Sequence, residues 1–582
     1  MNQVSVSGKN WIFKEFDSDE VQRFLEEFSL SEIVAKLLSI RKKNIENIEQ
    51  FLNPKIKNLL PNPFNLKDMK KAVDRTYKSI LNSETIGVFG DYDVDGASST
   101  ALLARYFSSI NQTTTSYIPD RLTEGYGPNN KGFQNLINNK AKIIFTVDCG
   151  TLSYEPIKYA QNLNIDVIVL DHHQSDTKLP VACAVVNPNR YDDVSGLNYL
   201  CAAGVCFVFL VGLNKKLREE GWFTKNDIKE PNIINFLDLV SLGTVCDVVP
   251  LVGLNRAIVK QGLKIMKKRL NLGLKTLHDL CDGPSEPTVF DLGYRLGPRI
   301  NAGGRVSNSS FGPELLISED PARVYKIAIN LDKSNKERQA IELLLSEQVD
   351  KEVKKYHNHP ILLLSGENWH EGVMGIVASR VKEKFNKPTV IISTKNNMGK
   401  GSARSIFGFD IGTQIILAVQ NGILEKGGGH KMAGGFSLKE ENISKFRDFL
   451  ITKFNKTNID TSQTLKLYLD SIIAPSALNE EFLEEINYLA PFGSGNSEPK
   501  FVIEQIKVIS SNVVGEKHIK SILIGKDGFV FKGFLWNGKN SVLEPFLTKK
   551  KNKLINLAGK IRLNAWRGKK NVEFIIEDVL VN

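Results

Sequence analysis

The chain has 582 residues, of which 42% are hydrophobic and 24% charged, ordinary values for a globular protein in water. That length predicts about two to four domains, and no apolar run approaches the roughly 20 residues needed to cross a bilayer. The formal charge of +11 is uneven: sixteen Lys/Arg against four Asp/Glu between Lys500 and Lys570 give +12, leaving about −1 for the rest.

Residues 1–64 read as a polar, helical segment broken by Pro54, Pro61 and Pro63. Met1 to Trp11 has no basic stretch leading into an apolar core, so no secretory leader is expected. The six cysteines (149, 183, 201, 206, 246 and 281) show no Cys-x-x-Cys spacing. A reduced, cytoplasmic setting is expected, with neither a disulfide framework nor a zinc knuckle.

Residues 65–312 alternate strand and helix, the pattern of a doubly wound parallel α/β domain. Three β-prone runs there end in acid. Residues 85–89 lead through Gly90 to Asp91-Tyr92-Asp93-Val94-Asp95-Gly96, 143–147 to Asp148-Cys149-Gly150, and 167–170 to Asp171-His172-His173. Each run reads as a buried parallel strand. Ligands of open α/β sheets bind at the carboxyl ends of the strands. Five Asp and two His are thereby expected at one sheet edge, a concentration of charge too costly without cations between the carboxylates. The expectation is a divalent-metal site. Asp91, Asp93 and Asp95 also match the opening of an EF-hand loop, but the twelfth position is Leu102 and a strand precedes it, which excludes that reading. Asp148 alone would be an ordinary helix cap, as would Asp247 after its apolar helix. Asp171 could orient an imidazole.

Residues 313–358 are assigned to a connecting helix. From Pro321 to about His357 there is no Gly and no further Pro, and apolar residues recur at helical spacing. One helix of roughly 50 Å is preferred over two with a turn near Asp332-Lys333-Ser334. Residues 359–455 read as a second, smaller α/β domain, with a helix at 373–384, a strand at 389–393 and a glycine-rich return at 427–436. Lys400-Gly401-Ser402-Ala403-Arg404-Ser405 reads as a loop whose small residues let backbone approach an anion. Residues 464–582 carry five β-prone segments, 501–509, 519–524, 529–536, 554–563 and 572–581, which suit an OB-like barrel. Phe531, Phe534, Trp536 and Trp566 interleave with Lys520, Lys532, Lys539, Arg562 and Arg567. With the basic excess, this predicts a single-stranded nucleic-acid track, about half of those aromatics being core.

The ordered set Asp91 to Gly96, Asp148 to Gly150, Asp171 to His173 and Gly243-Thr244-Val245-Cys246-Asp247-Val248-Val249-Pro250 resembles the DHH phosphoesterase superfamily. Further stretches resemble its RecJ-type single-strand-specific exonucleases. They are Ile118-Pro119-Asp120-Arg121 with Glu124-Gly125-Tyr126-Gly127, Gly297 to Ala302, Trp369 to Arg380, Gly429-His430 and Ala490 to Asn496. Cys149 departs from the polar residue expected of relatives. The resemblance implies Asp93, Asp95, Asp148, His172 and Asp247 as ligands of two ions, with Asp148 bridging and Asp91, Asp171 and His173 as close helpers. Oxygen-rich ligation with one imidazole suits Mn²⁺ or Mg²⁺ over zinc. It further implies that Arg121, Ser402 and Arg404 clasp a 5′-phosphate. Arg299 or Arg305 would meet the scissile phosphate, a choice left open, and His430, Lys532, Trp536 and Arg567 would contact the strand. The implied activity is 5′→3′ degradation of single-stranded DNA to 5′-mononucleotides in repair and recombination. A cytoplasmic monomer is expected, with a single-strand-binding protein and a helicase as partners and no membrane contact. The rivals are a phosphodiesterase for short oligonucleotides or cyclic dinucleotides, and a non-catalytic single-strand-binding scaffold.

Overall fold

A computed structural model describes residues 4–41, 48–121, 123–457, 459, 465–549, 553–566 and 569–581. No helix among them is long and apolar enough to cross a membrane.

The N-terminal segment is mainly helical, as expected, but neither wholly helical nor wholly polar. It opens with a strand, β1 (Lys9–Phe13), and its helices Ser18–Glu27 and Glu32–Ile40 bury Phe24, Leu37 and Leu38. The buried positions of Ser18–Glu27, Val21 and Phe24, lie three apart on one face.

The first α/β domain holds β2 (Thr85–Gly90), β3 (Thr114–Tyr117), β4 (Ala141–Val147), β5 (Asp166–Leu170) and β6 (Ala184–Val186). All pair in parallel in the order β3-β2-β4-β5-β6. β2, β4 and β5 are buried along nearly their whole length, which explains their unbroken apolar runs. The chain leaves β2 outward to β3 and returns on the other side to β4. The topological switch therefore falls between β2 and β4, where a crevice opens at the carboxyl ends.

A single helix, Pro321–Tyr356, follows. Its 36 residues span about 54 Å. The second domain has β7 (Leu362–Glu367), β8 (Thr389–Lys395), β9 (Met398–Arg404), β10 (Lys426–His430) and β11 (Ala433–Lys439) in the order β10-β11-β9-β8-β7. Ser402 and Arg404 thus stand on a strand and not in a loop. The small residues Gly399, Gly401 and Ala403 serve close strand packing; a Cβ on Gly401 would lie 2.1 Å from the Phe436 ring.

After β12 (Leu465–Leu469) and β13 (Ser471–Ile472) come β14 (Phe501–Val514), β15 (His518–Ile524), β16 (Val530–Leu535), β17 (Ile555–Trp566) and β18 (Lys569–Val581). A β14–β17 pairing closes these five into a barrel. The chain ends meet here. β1 pairs in parallel with β12, and the Trp11 indole donates to Asp578 Oδ2 at 2.9 Å. Phe24, Leu37 and Ile48 share one core with Ile503, Ile519, Leu557 and Phe574 of the barrel. Removing the barrel would strip the N-terminal helices of their core.

Candidate metal centre and strand cleft

Each acidic residue is fixed by the end of an element. Asp93 caps the helix Val94–Ser109, its Oδ1 accepting from the backbone N–H groups of Asp95 and Gly96 at 2.9 and 3.1 Å. Asp95, in the first turn of the same helix, accepts from the N–H groups of Ala202 and Ala203 at the start of the helix Ala202–Glu219. Gly243 makes room for it, since a Cβ there would lie 2.5 Å from Asp95 Oδ1. Asp148 follows β4 in the left-handed backbone region, φ 61°, its carbonyl accepting from the Tyr126 hydroxyl at 3.0 Å. Asp247 ends the helix Leu237–Cys246. Val248 next to it has φ 61° and is 68% exposed, a strained conformation for a β-branched residue.

The side chains converge. His172 Nε2 lies 3.3 Å from Asp148 Oδ1, 3.6 Å from Asp247 Oδ2 and 3.9 Å from Asp95 Oδ2. Two sets of ligand atoms, Asp91/Asp93/Asp148 and Asp95/His172/Asp247, each fall within 4.8 Å of one another, and Asp148 also groups with His172 and His173. Asp91, expected as a helper, falls in the same group of ligand atoms as Asp93 and Asp148. Asp91 Oδ1, Asp148 Oδ1 and His172 Nε2 are buried without a hydrogen-bond partner. Unpaired buried acceptors of this kind fit a cation, and the hard oxygen set with one imidazole fits Mn²⁺ or Mg²⁺.

Electrostatics divide the residues. Burial and the neighbouring Asp93 carboxylate push Asp91 and Asp148 well above the usual carboxylate range, and burial with Asp95 pushes Asp247 up to about 8. Burial lowers His172, leaving a neutral imidazole suited to ligation. His173 is different. Burial opposes its charge, but Asp171 outweighs it and raises His173 to about 9. Asp171 is itself saturated: Oδ2 accepts from the Thr151 N–H and hydroxyl, and Oδ1 faces the backbone N–H groups of both histidines and His173 Nδ1 at 2.8 Å. Burial would raise Asp171, yet His173 holds it below the usual carboxylate range. It orients His173 and has no oxygen to spare for an ion.

Sequence reasoning missed the supports of the histidine loop. Asn187 Nδ2 donates to the Thr151 hydroxyl and the His173 carbonyl, and Asn189 Nδ2 to the His172 carbonyl. Their only signal was polarity after a short apolar strand. Gly243 and Tyr126 lay inside quoted motifs without an assigned role. The Cys149 thiol is fully buried and donates to the Val147 carbonyl, and burial with the nearby Asp91 and Asp171 carboxylates keeps it protonated.

The second domain forms the opposite wall. The His430 ring stands 6.3 Å from that of His173 at 22°. Arg404 Nη1 donates to Ser402 Oγ and the Ala403 carbonyl at 3.2 and 2.8 Å. Arg121 lies over the Tyr92 ring at 4.9 Å. Burial, followed by the charge of Arg121 from the first domain, lowers the Arg404 pKa. Among the described residues no carboxylate lies within ion-pairing distance of either. Arg299 donates to Asp332 and to the Arg295 carbonyl. Arg305 donates to the Gly372 carbonyl, and burial followed by Arg121 lowers it to about 10. Arg305 therefore borders the cleft, whereas Arg299 braces the long helix.

On the barrel, Trp536 is 55% exposed and its ring meets those of Phe534 and His518, each at 4.7 Å. Phe531 is core. Lys532 donates to Asn571, while Lys520 pairs with Glu573 and Arg562 with Glu498. Arg567 lies outside the described residues.

Three family models match: DHH family, N-terminal domain, over residues 85–244; DHHA1 domain over 358–456; and RecJ OB domain over 469–578. The single-stranded-DNA-specific exonuclease RecJ of Bacillus subtilis is 30% identical over 584 residues, covering 99% of this chain and 71% of that protein. That of Escherichia coli is 32% identical, covering 91% and 93%. The crystal structure of RecJ from Thermus thermophilus with Mn²⁺ shares the fold at TM-score 0.79 and 24% identity, over 98% of this chain and 79% of that one. A manganese-bound exonuclease RecJ superposes at TM-score 0.58 with 28% identity, over 68% and 96%. Aligned along nearly its whole length at this identity, the chain belongs to the RecJ family.

Proposed function

We propose that this protein is a divalent-metal-dependent exonuclease that degrades single-stranded DNA from the 5′ end to 5′-mononucleotides. One observation carries the reading. Buried, unpartnered atoms of Asp91, Asp148 and His172 lie together at the edge of a cleft whose far wall presents Arg404 and His430. The named activity of the relatives supports it.

Asp93, Asp95, Asp148, His172 and Asp247 would hold two ions, with Asp91 beside Asp93 and Asp148. Bound ions of this kind supply a nucleophilic water at neutral pH and offset charge on the reacting phosphate. The protein's own groups do the rest. Arg121, Ser402 and Arg404 take the terminal 5′-phosphate, where forked guanidinium donors suit phosphate oxygens. Arg305 is the choice over Arg299 for the scissile phosphate, because Asp332 already occupies Arg299. His173 carries its proton beside the cluster, anchored through Nδ1 to Asp171. Trp536, Phe534 and Lys532 receive the trailing strand by stacking and charge.

The barrel argues against a phosphodiesterase of short substrates, and the intact acidic set against a scaffold that has lost catalysis. A monomer in the cytoplasm, serving DNA repair and recombination, belongs to the same proposal. So do a helicase and a single-strand-binding protein, since an enzyme confined to single strands depends on others to expose them. The test is release of acid-soluble product from single-stranded DNA, duplex DNA and RNA with Mn²⁺ or with chelator. Equal duplex cleavage, or release in chelator, would sink the reading.

A further inference from the structure

A cavity of about 520 Å³ lies beside the catalytic cleft and is lined by the first domain, the long helix, the second domain and the segment before the barrel. Arg305 and Arg338 stand at its polar side. Val248, directly after Asp247, and Val289 give it an apolar wall. Gly493 and Ser494, which lead into the barrel, contribute a third side. Its size is within the usual range for a site that holds a small organic group.

Tyr294 also lines this cavity and is 72% exposed. It sits in a π-helical turn, Asp291–Leu296, an irregularity that helices often carry at functional sites. Its ring is stacked on Phe290, with centroids 4.9 Å apart at 20°. The Arg562 guanidinium of the barrel lies over the same Phe290 ring at 5.2 Å. The column Arg562, Phe290, Tyr294 thus runs from the barrel to the cavity and ends in an aromatic ring 72% open to solvent. A large exposed aromatic held rigid by stacking beneath it is the usual platform for an unpaired base.

We propose that Tyr294 stacks a nucleobase of the strand held between the catalytic cleft and the barrel. Arg338 is placed by Asn335 Oδ1, at 3.2 and 3.0 Å, and by Glu342. Glu342 also pairs with Arg380 of the second domain, so Arg338 and Glu342 fix this wall of the cavity between the long helix and the domain it carries. The inference rests on the single-strand reading above, and it commits the cavity to one base and not to a peptide.

Binding in chelator tests it, because no cleavage is then required. Fluorescence anisotropy would compare wild type, Tyr294→Ala and Tyr294→Phe on 5′-phosphorylated single strands in which one abasic position is stepped along from the 5′ end. Wild type should lose about 5- to 150-fold in affinity when the abasic position reaches Tyr294. Tyr294→Ala should lose the same factor on the intact strand and become insensitive to that one abasic position, while Tyr294→Phe keeps the wild-type pattern. Melting temperatures check that the exposed substitution leaves the fold intact. If Tyr294→Ala keeps the wild-type abasic pattern, or weakens every substrate equally, the ring serves domain contact and the inference is overturned. Failure of wild type to bind any single strand would instead remove the reading it rests on.

Discussion

Replacing Arg404 by Ala isolates how the strand end is read. Its Nη1 is committed to Ser402 Oγ and the Ala403 carbonyl. Its Nη2 faces Gly375, where a Cβ would approach to 2.7 Å, so the guanidinium is confined to one orientation. A lost hydrogen bond from a charged donor costs about 1.5–3 kcal/mol, or roughly 10- to 150-fold in rate. That loss applies only when a 5′-phosphate is present. Stability should hold or rise slightly, since burial and Arg121 already disfavour the charge. Steady-state kinetics on 5′-phosphorylated and 5′-hydroxyl strands should show the full factor on the first and little on the second. Asp148→Asn is the control. Asn tolerates the left-handed backbone at this position, and both substrates should suffer alike. An equal slowing of both substrates by Arg404→Ala would refute the reasoning.

In chelator, stability should fall as pH rises from about 5 to 8. The Asp247 carboxyl, pushed up to about 8, keeps a proton that the unfolded chain has lost above about pH 4. The native state then binds more protons in that window, so rising pH favours unfolding. Asp247→Asn should flatten the profile and blunt the Mn²⁺-induced gain in unfolding free energy, which for wild type approaches about 2.7 kcal/mol at a hundredfold excess over Kd; identical profiles for the two proteins would contradict this. Gly243→Ala should cut metal affinity and activity together, because its Cβ would meet Asp95 Oδ1 at 2.5 Å and Ala203 Cβ at 2.8 Å; isothermal titration with Mn²⁺ gives the answer, and unchanged affinity would count against it. Arg256→Met should destabilise by at least about 3 kcal/mol in denaturant titration. Arg256 is 1% exposed, stacks on Phe51 at 3.8 Å and donates to the carbonyls of Phe51, Leu489, Ala490 and Pro491, which join three parts of the chain. A change below about 1 kcal/mol would refute that role.

The legible parts of this molecule were those with a local signature. β2, β4 and β5 announced themselves by buried apolar runs, and the acids after them followed from the rule that parallel strands open their carboxyl ends to ligands. The long helix showed in the absence of Gly and Pro after Pro321. What stayed hidden was non-local. β1 finds its partner 456 residues away, at β12, and no pattern within Lys9–Phe13 encodes that. Arg256 reads as one more polar residue on a helix until the carbonyls it gathers are known. The pairing of Arg299 with Asp332 of the long helix is equally invisible from the residues around Arg299. Ser402 and Arg404 looked like a loop because small residues signal turns and tight strand packing alike.

The central claim is that a two-ion site removes nucleotides from the 5′ end of a single strand. Digestion of one strand, labelled in parallel at the 5′ or the 3′ end, with Mn²⁺ as the only divalent ion, tests it most directly. The account predicts that 5′ label appears at once as mononucleotide while 3′ label stays in long products that shorten with time. Early release of 3′ label as mononucleotide, or hydrolysis that persists in chelator, would contradict it.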